Sequence, residues 1–191
     1  MKRNDEARYE LMDTFEKNSF ELYWLAYLLT GNEDCGVHAF SNAIDLDEQV
    51  NVVFDGFMNR WARKLIVVEA LGAIEAELRR SIARVARTAG EEIPAGARWM
   101  PSRDIAKKEF EEAVIAIDAF PRCAMLLTLF EGMSIREAAI LLHADDALTG
   151  AAGRMGIVQL MRNLAGIRVR DPYAGEAHAA TPVLSLGWES R

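Results

Sequence analysis

Apolar positions recur at intervals of three and four along most of the chain, the period of amphipathic helices and not of strands. No proline interrupts that period before Pro94, so the whole first half is free to be helical. Leu22, Leu25, Ala26 and Leu29 line one face of a helix that stops at Thr30-Gly31-Asn32, where Gly31 can adopt the left-handed conformation that ends helices. A short second helix is expected from Glu33 to Asp45. After the acidic turn from Asp45 to Glu48, the seam Phe54, Phe57, Trp61, Leu65, Val68, Leu71, Ile74, Leu78, Ile82 and Val85 continues for about nine turns. That seam predicts one long helix, kinked near Gly72, with Trp61 packed into the core.

The pattern fails between 88 and 104, where Gly90, Pro94, Gly96 and Pro101 gather beside two adjacent glutamates. This composition suits a connector and marks a domain boundary. Helical periodicity returns at Ile105 to Phe120, breaks at Pro121, and resumes over Arg122 to Glu131, Ser134 to His143 and Ala147 to Leu164. No stretch reads as a strand. The expected fold is all-α, with a helical domain over 1–87, a linker over 88–104, a second helical domain over 105–166 and a tail over 167–191. Val183, Leu184, Leu186 and Trp188 give the tail apolar residues with which to dock.

Composition narrows the function classes. With 191 residues, 51% of them hydrophobic, the chain can build a core in one or two domains. A net charge of −7 excludes a polycation that wraps nucleic acid, so any contact with DNA must be local. Met1 to Ala70 carries seven basic and thirteen acidic residues, whereas Leu71 to Lys108 carries eight basic and five acidic ones. Arg79, Arg80, Arg84 and Arg87 form a cationic stripe near a helix end, either solvated or facing phosphate. Apolar runs such as Leu65 to Val68 fall far short of the roughly 20 residues of a membrane span, and the first residues lack a signal-peptide core. A cytoplasmic protein without membrane contact is expected. Cys35 and Cys123 read as small buried apolar residues, not as a disulfide or metal pair.

The densest information lies between Phe120 and His143. Pro121 suits a first helical turn, Met125, Leu126 and Leu129 build an apolar face, and Gly132 stops the helix. Ser134 stands three residues before Glu137, the capping-box spacing that starts the next helix. A further helix follows a short turn at Ala144 to Asp146. This is a helix-turn-helix arrangement, which can offer its last helix to a major groove.

The segment resembles the C-terminal domain, region 4, of the extracytoplasmic-function sigma factors of bacterial RNA polymerase. Phe120-Pro121, Leu126-Leu127, Glu131-Gly132-Met133-Ser134, Glu137-Ala138-Ala139 and Leu141-Leu142 follow that family's phrase. Leu22-Tyr23-Trp24-Leu25-Ala26-Tyr27-Leu28-Leu29-Thr30-Gly31-Asn32 is similar to the opening of region 2, and Arg60-Trp61-Ala62-Arg63-Lys64-Leu65 is similar to its promoter-facing helix. The two matches keep the family's order and span most of Tyr9 to Leu164. The resemblance implies core RNA polymerase and promoter DNA as partners and an anti-sigma factor as a further one. It assigns DNA contact to Arg60, Arg63, Lys64, Arg136, Thr149 and Arg154, and polymerase contact to His38, Ser41 and Asn42.

The chain diverges on the surfaces that matter. His38-Ala39-Phe40-Ser41-Asn42 replaces the family's Asp-Leu-Val-Gln-Glu, which removes two carboxylates and a glutamine from the polymerase-gripping surface. Asp145 to Ile157 replaces a cation-rich recognition helix, and only Arg154 is positive early in it. From Gly132 to Gly166 three arginines face three carboxylates, a balance poor in counterion release. Gly150, Gly153 and Gly156 each cost roughly 1 kcal/mol within a helix. Ala151, Met155, Val158 and Met161 are the expected buried seam of that helix.

Catalytic chemistry has little support. Cys35 and His38 lack further ligands at motif spacing, His143 suits a turn, no nucleophile elbow is present, and Glu91-Glu92 and Glu111-Glu112 read as exposed charges. The reading is a non-enzyme without metal, cofactor or small-molecule substrate. Two functions follow from it: a sigma-like initiation protein, or a degenerate sigma-like module that binds protein and no longer reads promoters.

Overall fold

The computed structural model describes residues 12–46, 58–88 and 105–170, and among them every regular element is helical and none is a strand. Helix α1 (Ser19–Thr30) buries Leu22, Leu25, Ala26, Leu28 and Leu29 and ends at Gly31, whose φ of 69° is left-handed. Its terminal amide at Gly31 donates to the Tyr27 carbonyl at 2.8 Å, the local closure expected of a glycine-ended helix. Helix α2 (Glu33–Leu46) packs back on α1 through Gly36, Ala39 and Ala43. Close approach sets that choice of small residues, because a Cβ at Gly36 would lie 3.0 Å from the Tyr27 Cα.

The single long helix expected next is interrupted. Helix α3 (Met58–Ala73) and helix α4 (Glu75–Thr88) meet at Ile74, two residues beyond Gly72, where the kink is expected. Phe54 and Phe57 of the expected seam lie outside the described residues. Leu71, Ile74, Leu78 and Val85 of the expected seam are buried, but in the first half of α3 the buried face sits to one side of the expected one. Ala62, Ile66, Val67, Ala70 and Leu71 are buried, whereas Val68 is half exposed and Trp61 stands 36% exposed at the edge. Trp61 is therefore not a core residue. Ala62 and Ala70 let α3 approach its neighbours more closely than the tryptophan would.

In the second half, α5 (Lys107–Ile115) ends before an N-cap at Asp118, and α6 (Ala119–Met125) begins there. The break thus precedes Pro121, which lies within the first turn of α6, where a missing amide costs nothing. Every residue of α6 is buried. It runs into a π-helical segment (Leu126–Phe130) and stops at Gly132 with a φ of 64°. Helices α7 (Ile135–Leu142) and α8 (Asp146–Arg170) complete the described chain. The buried residues of both halves, among them Leu22, Leu28, Ile66, Phe120, Leu127 and Leu142, form one hydrophobic cluster. Residues 89–104 of the expected linker, and the tail beyond Arg170, lie outside the described residues.

Candidate nucleic-acid interface

The helix-turn-helix is built from local rules. Ser134 Oγ accepts from the Glu137 amide at 3.2 Å, while the Glu137 carboxylate accepts from the Ser134 amide at 2.8 Å, which closes the capping box at the start of α7. The Ser134 amide, and then the Ser134 hydroxyl, which also donates to the Glu137 carboxylate at 2.8 Å, hold that carboxyl below its usual range, and the cations of Lys64 and Arg60 add to the effect. At the other end His143 takes a left-handed φ of 52° and turns the chain toward α8. Asp145 then accepts from the Leu148 amide at 2.7 Å and caps the first turn of α8.

Helix α8 lies on α6 with a face made of small residues. Thr149, Ala152, Gly153 and Gly156 are turned inward, whereas Ala151, Met155, Val158 and Met161, the expected seam, are only half buried. The physical reason is the approach of two backbones: a Cβ at Gly156 would lie 2.5 Å from the Pro121 carbonyl oxygen and 2.9 Å from the Met125 Cβ. Gly153 and Gly156 are therefore a packing surface against α6, whereas Gly150 faces Ile135 of α7. Their intrinsic helix cost is offset by contact between helices. Thr149, expected at DNA, is fully buried and its hydroxyl has no partner among the described residues. Arg136 and Arg154 are exposed, and the Arg154 guanidinium folds back over Gly150 beside Ile135.

The other candidates lie on α3. Arg60 and Lys64 are exposed on the face that looks toward α7. Arg63 is engaged: its Nε and Nη2 donate to the two oxygens of Glu131 at 2.8 and 2.5 Å, a bidentate pair across 68 positions of sequence. That hydrogen bond holds the guanidinium more firmly protonated, against the opposing effect of burial. Beside the pair runs a groove of about 230 Å³ between Lys64, Val67 and Val68 of α3 and Met133, Glu137, Ile140 and Leu141. On α2, His38 and Ser41 are exposed and Asn42 is half buried.

Further polar joins cross between the halves, and local sequence carried no signal for them. The Arg84 guanidinium and the Ser81 hydroxyl donate to the Asp118 carboxylate, and Ser81 in turn accepts from the Phe120 amide at 2.8 Å. Trp24 Nε1 donates to Glu111 at 2.6 Å. Arg122, only 3% exposed, donates to the carbonyls of Ile115, Ile117, Leu29 and Thr30. The cationic stripe on α4 is partly spent at home: Arg79 pairs with Glu75, while Arg80 and Arg87 donate to carbonyls one turn back.

Cys123 is buried and burial pushes its thiol up to about 12, whereas Cys35 is half buried; both are free. Among the described residues no cluster of metal-ligating side chains occurs, and no helix is long and apolar enough to cross a membrane. No family model, curated protein or solved structure matches the chain.

Proposed function

We propose that the chain is a divergent sigma-factor-like protein of transcription initiation, with a region 2-like helical unit and a region 4-like helix-turn-helix unit. The first engages core RNA polymerase through the α2 surface around His38, Ser41 and Asn42, and meets promoter phosphates through Arg60, Arg63 and Lys64. The second docks on upstream promoter DNA through Arg136 and Arg154. The observation that carries this reading is the capped frame Ser134–α7–His143–α8, a helix-turn-helix whose caps and turn all follow from local residues. The test is transcription with purified chain and core polymerase, scored as promoter-specific run-off products. Their appearance supports the reading.

A second reading has an observation of its own: the exposed start of α8 presents Asp145 and Asp146, with Thr149 turned inward, so the groove-entering end repels phosphate. On that reading the chain binds polymerase or an anti-sigma factor without directing initiation. Tight polymerase or anti-sigma binding without run-off products selects it over the first.

A further inference from the structure

Three cations of α3 carry the proposed contact with nucleic acid, and two carboxylates of the segment 131–137 lie over them. Glu131 fills the guanidinium fork of Arg63 with two parallel hydrogen bonds. Glu137 is close enough for Lys64 and Arg60 to stabilise its charge. A guanidinium binds a phosphate through the same two-pronged geometry that it offers a carboxylate, so one fork serves one anion at a time. We infer that Glu131 is an internal competitor for phosphate at Arg63, so that nucleic-acid binding by α3 and release of the segment 131–137 are one event.

The inference rests on the reading that the α3 face meets nucleic acid. Two features favour exchange over a permanent bond. The pair is accessible from the cation side, since the Arg63 side chain is 29% exposed while that of Glu131 is 5% exposed. The seam beside it is also loosely filled. Between α3 and α7 runs the open groove, and Val68 and Ile140 at its rim are 50% and 66% exposed. The contrast is with α6 and α8, where backbones touch through glycine. Replacement of one anion by another leaves the Arg63 cation paired, but the Glu131 carboxylate, 5% exposed, then has no partner and has to reach water, which is why release of its segment accompanies the exchange.

The experiment uses the full chain and a labelled duplex of about 30 base pairs, with binding followed by fluorescence anisotropy over a salt series. Glu131→Gln is expected to bind about threefold or more tightly than the parent chain, with a slope of log affinity against log salt steeper by about one. In an Arg63→Gln background the same change is expected to have no effect. A gain that persists there, or a Glu131→Gln protein that binds as the parent while Arg60→Gln and Lys64→Gln weaken binding, overturns the competition but leaves the α3 reading intact. If Arg60→Gln and Lys64→Gln are also silent, the α3 reading falls and the inference falls with it. Should Glu131→Gln fail to fold, Glu131→Asp keeps the charge but shortens the reach. It then has to show a smaller gain in the same direction.

Discussion

Arg122 and Arg63 both join the first half of the chain to the second, and they do so in opposite ways. Arg122 is buried and binds four carbonyls, two at the end of α1 and two around the end of α5. Those carbonyls are left over at helix C-termini, where the dipole is negative, so the cation is held without any carboxylate. Gly31 is part of the arrangement: its φ is left-handed, and a Cβ there would lie 2.7 Å from the Arg122 guanidinium. Arg63, itself partly exposed, meets the nearly buried carboxylate of Glu131 beside an open groove. Burial separates the two roles. A cation sealed among helix ends is part of the frame, whereas a cation paired at the rim keeps access to an outside anion.

The sharpest way to break this contrast is Arg122→Met, which removes the donors and leaves carbonyls buried without partners. A loss of about 3 kcal/mol in unfolding free energy is expected from urea titration. A loss below about 1 kcal/mol would show that water or neighbouring amides replace the guanidinium. Arg63→Gln tests the other side: Arg63 is 29% exposed but Glu131 only 5%, and the glutamine amide can still donate to the carboxylate, so the expected cost is about 1–2 kcal/mol, read from the same titration. A loss as large as that of Arg122→Met would make Arg63 a frame residue and remove the contrast.

The smallest effect concerns the third join. Burial pushes the Asp118 carboxyl up, but hydrogen bonds from Arg84 and Ser81, with the Arg84 charge, outweigh it and bring the group below its ordinary value of 3.8. A carboxyl depressed by folding adds stability that is present above the ordinary value and lost as pH falls through the depressed one. The urea midpoint is therefore expected to fall as pH drops below about 4, and Asp118→Asn is expected to flatten part of that fall. Identical acid profiles for the two proteins would show that the join adds nothing through ionisation.

The parts of the site legible in sequence are those whose partners lie within one turn. Gly31 ends α1, Ser134 and Glu137 close their box, and His143 bends the chain, all as the residue spacing predicts. In α8 local spacing is a weaker guide. Periodicity favoured Ala151, Met155, Val158 and Met161 as the seam because larger side chains bury more area. The packed face is instead Thr149, Ala152, Gly153 and Gly156, because α6 approaches too closely for anything larger at Gly156. Thr149 thus moved from the expected DNA contacts into the interior, and Trp61 moved from the expected core to the rim.

Glu131 and Arg122 were visible as residues but not as partners. The sequence by itself determined the helical character, the caps and most helix ends, since each depends on a hydrogen bond or a dihedral preference spanning about four residues or fewer. Only the tertiary structure decided which stripe of α8 faces inward, and which anion meets Arg63 across 68 positions of chain. Those outcomes depend on the shape and charge of a distant surface, and no local spacing encodes a surface that exists only once both halves have come together.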